Sequence, residues 1–157
     1  MVSVSKGLRP MKIPRIYLDI CSYNRPFDSQ TQMKVRLETE AKLFIQAGIR
    51  EEKYLLVWSY MLDYENSNNP FDERRKTISP WKERADYYCP SSDDIPKAGR
   101  KMMELGIGEK DALHIACAVK SGCDYFITTD KRLTNKAVAN ITIINPIDFV
   151  REMEDPT

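Results

Sequence analysis

Short apolar runs alternate with longer stretches of helical periodicity along this chain. Arg15-Ile-Tyr-Leu-Asp-Ile is β-branched and aromatic, and reads as a buried strand ending near Asp19. From Thr31 to Gly48, Val35, Leu37, Ala41, Leu43, Phe44, Ile45 and Ala47 recur at helical spacing, which predicts a helix with Gly48 as its stop. Tyr54-Leu-Leu-Val-Trp is a second buried strand. Ser59 can cap the next helix, which carries Met61, Leu62, Asp63 and Glu65. Asn66-Ser-Asn-Asn-Pro reads as a loop.

Between positions 70 and 90 the pattern is less regular. Pro70 to Thr77 is charged and helical, Pro80 interrupts it, and Tyr87-Tyr88-Cys89 is a candidate extended piece. Ser91-Ser-Asp-Asp starts a helix with Ala98, Met102, Met103 and Leu105 as its stripe. Gly106-Ile-Gly108 turns the chain, and Ala112 to Val119 is a small-residue helix dense enough to be buried, ended by Gly122. Asp124-Tyr-Phe-Ile-Thr and Ile141-Thr-Ile-Ile are further strands, and a last helix follows Pro146. Strands alternating with helices predict an α/β fold with a largely parallel sheet and right-handed crossovers.

The 157 residues, 42% of them apolar, suit one domain, expected over 13–154 behind a disordered lead at 1–12. The 24 basic and 23 acidic residues nearly cancel, which excludes a cationic coat for nucleic acid but not a local patch. No apolar run is long enough to cross a membrane, and the first ten residues lack the apolar core of a secretory signal. With one histidine and no Cys-x-x-Cys, a zinc site is not expected. Cys21, Cys89, Cys117 and Cys123 read as free thiols of a cytoplasmic protein.

Ligands of open α/β sheets bind beyond the carboxyl ends of the strands. Asp19 ends the first strand, Glu65 lies early in the helix after the second, and Asp130 follows Thr128 and Thr129 beyond the Asp124 strand. Asp111 opens the buried helix whose N-terminus faces the same side. Each alone could be only a cap; together they bring four carboxylates to one rim. Four uncompensated carboxylates repel, and oxygen ligands of this kind suit Mg²⁺ or Mn²⁺. Phosphodiester hydrolysis is the natural use of such a centre.

Ile16-Tyr-Leu-Asp19, Asp111-Ala-Leu-His-Ile-Ala-Cys-Ala118 and Asp124-Tyr-Phe-Ile-Thr-Thr-Asp130-Lys-Arg-Leu133 resemble the PIN domain, in the order and spacing of VapC-type toxin nucleases. The resemblance spans about residues 13 to 150. It implies a three-layer α/β/α fold around a parallel sheet of about five strands. It also implies Mg²⁺- or Mn²⁺-dependent endoribonuclease activity with Asp19, Glu65, Asp111 and Asp130 as catalytic metal ligands, 5′-phosphate products, frequent homodimers and a cognate antitoxin. Asp63 competes with Glu65; the two point about 200° apart on a helix, so only one faces the site. The family's strand-to-helix spacing favours Glu65.

Asn24, Thr128 and Thr129 are candidates for ordering the carboxylates or a bound water, though Asn24 equally serves as a turn before Pro26. Arg25, Lys110, Lys131 and Arg132 flank the rim and could meet RNA phosphates; exposed charge is the default alternative. His114 shares a helix side with Asp111 and is expected to be a packed or hydrogen-bonded core residue. Tyr87 and Tyr88 could stack on bases, but core packing is the first expectation. Met102-Met103 fits core or dimer surface. The segment from Asn66 to Pro90 is longer than in compact VapC-type toxins. A PIN-like module that binds RNA or protein without cutting is the alternative function. A phosphoryl-accepting receiver fits less well: the first strand ends in a single acid, and no Lys follows the last.

Overall fold

The computed structural model describes residues 12–154, so most of the expected lead lies outside the described residues. Five parallel strands form one sheet in the order β3-β2-β1-β4-β5. They are β1 (Arg15–Leu18), β2 (Leu55–Ser59), β3 (Tyr87–Cys89), β4 (Tyr125–Ile127) and β5 (Thr142–Ile144). Central β1 pairs with both β2 and β4, setting Ile16 opposite Leu56 and Tyr125. Ile16, Tyr17 and Leu18 are fully buried, as a strand covered on both faces must be.

Helices cover both faces. On one, α2 (Met33–Arg50) packs against α9 (Pro146–Glu154). On the other, α6 (Asp94–Met103) packs on α7 (Glu109–Lys120), which lies over β2, β3 and β4. Right-handed crossovers require this split, because the chain moves outward through β2 and β3 and then returns past β1 to β4. The result is the expected three-layer α/β/α architecture. Ala112, Ala116 and Ala118 are buried and let α7 approach the sheet closely. Gly106 turns into it with φ +89°, a conformation open to glycine without strain.

Short helices bridge the longer ones. They are α1 (Ile20–Asn24), α3 (Tyr60–Ser67), α4 (Asp72–Ile78), α5 (Pro80–Arg84) and α8 (Lys131–Thr134). Ser59 caps α3 as expected, its hydroxyl accepting from the Leu62 N–H at 3.1 Å. The helix runs on through Asn66 and Ser67, which the sequence reads as loop. Pro80 does interrupt α4, and then serves as the first residue of α5.

Gly48 does not stop α2. The helix continues to Arg50, and Glu52 takes the left-handed conformation beyond it. Gly48 is instead a packing site, because a Cβ there would lie 2.3 Å from Tyr54 Cε2. The Tyr54 ring is itself held edge-on by Phe149 at 5.3 Å. Gly48→Ala should therefore lower stability by about 1–3 kcal/mol through overpacking, although alanine is the better helix former. Urea denaturation checks this; a stabilised variant would show that the ring yields.

The inner face of α2 is also more polar than its apolar count suggests. Val35, Ala41 and Ile45 are buried, but Leu37, Leu43 and Phe44 are exposed. Glu38, Lys42 and Gln46 are buried in their place, at successive turns. Glu38 explains itself: it accepts from Arg25 Nε at 2.7 Å and Asn145 Nδ2 at 2.6 Å. Tyr87 and Tyr88 also depart from expectation. They are exposed on edge strand β3, Tyr87 beneath the Arg15 guanidinium at 3.8 Å. Met102 is buried and Met103 exposed. All four cysteines are free.

Candidate metal centre

The direction of the crossovers changes at β1, so a crevice opens above its carboxyl end, where α/β folds bind ligands. Asp19 sits there as the cap of α1 and is only 5% exposed. Its Oδ1 accepts from the Ile20 N–H at 2.8 Å; its Oδ2 accepts from the Thr128 hydroxyl at 2.9 Å and the Cys21 thiol at 3.4 Å. Burial pushes the Asp19 carboxyl up. His114 and the Thr128 hydrogen bond oppose the rise, and the Glu65 charge adds to it.

The Thr128 hydroxyl also accepts from the Asp130 N–H at 3.1 Å, so one buried side chain sets two of the acids. Asp130 caps α8, accepting from the Arg132 N–H at 2.9 Å and pairing with its guanidinium at 3.1 Å. That pairing is the main reason its carboxyl lies below the usual range. Thr129 donates its N–H to Cys21 Sγ at 3.4 Å. Asn24 accepts from Asn69 Nδ2 at 3.4 Å and ties the end of α1 to the loop after α3 rather than touching a carboxylate.

Glu65 enters from α3. Its Oε1 lies 2.5 Å from His114 Nε2, and its Oε2 lies 3.5 Å from Lys110 Nζ. Burial pushes its carboxyl up, but those two partners more than offset that, and the net shift is downward. His114 is buried, with Nδ1 2.5 Å from the Tyr17 hydroxyl, which is 2.6 Å from Ser59 Oγ. Since Ser59 Oγ already accepts from Leu62, a consistent proton order has Ser59 donating to Tyr17, Tyr17 to Nδ1, and Nε2–H to the Glu65 carboxylate. Asp19, Glu65 and His114 bring candidate ligand atoms within 4.8 Å of one another.

Asp111, in the first turn of α7, is half-buried. Burial raises its carboxyl, and Asp19, Asp130 and Glu65 raise it further by repulsion. Asp111 thus feels the other three expected acids, while the ligand atoms drawn within 4.8 Å are those of Asp19, Glu65 and His114 and not those of Asp111 or Asp130. The donor set suits a hard divalent cation: every carboxylate offers oxygen, and the crowding is what an ion would relieve.

Asp63 faces elsewhere. It accepts from Trp58 Nε1 at 2.8 Å and the Tyr88 hydroxyl at 2.7 Å, and pairs with Lys82 at 3.2 Å. Burial pushes its carboxyl up, but these partners prevail and hold it below its ordinary value of 3.8. A depressed folded-state pKa stabilises above the unfolded value and ceases to do so as pH falls through the folded one. Asp63→Asn should thus cost about 0.5–1 kcal/mol at pH 7, modest because the group is partly exposed, and the cost should fade below pH 4. Urea melts at the two pH values test this; a cost independent of pH would contradict it.

The flanking cations divide. Lys110 and Arg132 lie at the rim, paired with Glu65 and Asp130, and Lys131 is exposed. Arg25 turns inward to Glu38 and Asp28, so it braces the loop after β1 instead of facing RNA. Tyr17, Ser59 and Cys21 are site residues the sequence reading missed. The one available signal was His114, because a buried imidazole needs partners on both nitrogens.

No family model matches the sequence, and no curated protein does. Among solved structures, the chain is similar to the crystal structure of VapBC2 from Rickettsia felis bound to a DNA fragment from their promoter. The identity is 16%, with a TM-score of 0.50 over 83% of this chain and 98% of that one. At that identity the likeness is one of fold. The chain has a PIN-like three-layer α/β/α fold, which it shares with that structure.

Proposed function

We propose that this protein is a divalent-metal-dependent endoribonuclease. The observation that carries the reading is the convergence of Asp19 and Glu65 at one rim, their ligand atoms within 4.8 Å of each other and of His114, with Asp111 and Asp130 beside them. Asp19 and Glu65, whose ligand atoms converge within 4.8 Å, would hold the ion, with Asp111 and Asp130 completing the set. A bound Mg²⁺ or Mn²⁺ supplies an activated water and neutralises charge on the phosphate under attack.

The chain's own groups prepare that site. Thr128 fixes Asp19 and the start of the Asp130 loop together. The Ser59–Tyr17–His114 chain pins Glu65 in one orientation. Beside the rim a cleft of about 370 Å³ runs past Asn24, Glu65 and Lys110 to Tyr64, Phe71 and Arg74. Tyr64 and Phe71 are more than half exposed there. They offer a base-stacking surface beside the rim, and Lys110 offers charge to the backbone, while Arg74 pairs with Asp28 at 3.3 Å and braces the Phe71 ring at 4.6 Å. The long segment after Asn66 thus builds one wall of the RNA groove.

No helix among the described residues is long and apolar enough to cross a membrane. The likeness to a VapBC2 structure supports an antitoxin partner, which co-purification with a neighbouring gene product tests; the homodimer is part of the proposal alone, and light scattering tests it. The activity itself is tested by incubating end-labelled RNA of mixed sequence with the protein. Fragments formed with Mn²⁺ or Mg²⁺ and abolished by EDTA support the reading. Retention of RNA without fragments under any metal would replace it with the non-cutting module.

A further inference from the structure

A second charged site lies away from the acidic rim. Between α2 and the α4–α5 pair is a cavity of about 400 Å³, within the range of small-molecule sites. Its walls include Phe27, Lys42, Gln46, Arg50, Trp81 and Arg84, and none of the four rim acids. Among the described residues, three cations line it and no carboxylate does.

Lys42 is the informative member. It is 3% exposed, and buried lysines are almost always paired. Among the described residues it has no acid for a partner. Glu38, one turn earlier on the same stripe, is taken by Arg25 and Asn145. Burial, with repulsion from Arg50 added to it, pulls the Lys42 ammonium down to about 8. Arg50 is held in place over the Trp81 ring at 4.9 Å. Gln46, also 3% exposed, has a buried Nε2 with no hydrogen-bond partner. Lys42 Nζ does lie over the Tyr23 ring at 5.9 Å, but a ring face brings no counter-charge. An unsatisfied donor and a cation with no anionic partner in one recess are costly unless something meets them.

We infer that this cavity is an anion site that takes the terminal phosphate of a phosphate monoester, with Lys42 and Gln46 at its floor and Arg50 and Arg84 at its mouth. Fixed N–H donors and positive charge are what a phosphoryl group requires. A recess with its lysine at the bottom admits a terminal group, whereas a continuous phosphodiester backbone needs an open groove. The shared chemistry has two sources: a free nucleotide, or the 5′-phosphate end of an RNA. The site stands whether or not the acidic rim cuts RNA.

Calorimetry on the full chain in EDTA tests this with inorganic phosphate, AMP, and a 5′-phosphorylated tetranucleotide beside its 5′-hydroxyl twin. The expected result is saturable phosphate binding, weakened at least tenfold by Lys42→Met and several-fold by the surface variant Arg84→Gln. It should be unchanged in Lys110→Gln, whose cation belongs to the rim. Tighter binding of AMP than of the oligonucleotide identifies a nucleotide site. A preference for the phosphorylated oligonucleotide over both AMP and its twin identifies an RNA-end site. No saturable binding of any probe, or binding indifferent to both Lys42→Met and Arg84→Gln, would overturn the inference.

Discussion

Asp19→Asn should abolish RNA cleavage and leave the fold intact. Loss of a central carboxylate removes several kcal/mol of transition-state stabilisation, or about 10³-fold in rate. Asparagine preserves the local structure for specific reasons. It caps α1 as well as aspartate does, because its carbonyl oxygen can accept from the Ile20 N–H. Its amide can donate to the Thr128 hydroxyl, which now donates to the carboxylate. The stability effect has a predicted sign. A carboxyl whose pKa is raised by folding favours the folded state below its unfolded pKa, and that advantage is lost as pH rises through the folded value. Holding a charge on Asp19 without metal therefore works against the fold, and the variant should melt no lower than wild type in EDTA. Added Mn²⁺ should raise the melting temperature of wild type more than that of the variant, since a ligand stabilises only the state that binds it. Undiminished cleavage by the folded variant would end the proposed mechanism.

The second large effect separates two neighbouring acids. Glu65→Gln should slow cleavage by about 10²-fold, whereas Asp63→Asn should stay within about threefold of wild type. Glutamine can still accept from His114 Nε2, so the shape persists while the charge beside Asp19 is lost. Asp63 is occupied by Trp58, Tyr88 and Lys82 and has no part in the rim. Parallel rate measurements on the two folded variants decide the matter. The reverse order of effects would assign the ligand to Asp63 and contradict the site described here.

Much of this was legible in the chain because topology fixes where strand ends go. Asp19, Asp111 and Asp130 sit at positions that an alternating α/β pattern brings to one edge, whatever the details of packing. Glu65 and Asp63 could be told apart as facing opposite ways, but which faces inward depends on the Trp58 indole, a partner from the preceding strand. The Tyr17–His114 link was hidden for a similar reason. A tyrosine inside an apolar run reads as packing, and its hydroxyl's partner lies 97 positions away. Periodicity also misread the inner face of α2, where Glu38, Lys42 and Gln46 displace apolar neighbours. Counting apolar residues cannot show that Arg25 and Asn145 wait opposite Glu38. Tyr87 and Tyr88 were misplaced because a three-residue edge strand has the composition of a core strand but a partner on only one side.

Calorimetric titration of Mn²⁺ into the wild-type protein beside Asp19→Asn asks whether the acidic rim is an assembled site for a divalent cation. Saturable binding by the wild type, weakened at least tenfold in the variant, is the expected result. Binding of equal strength in both would place the ion elsewhere and exclude this site.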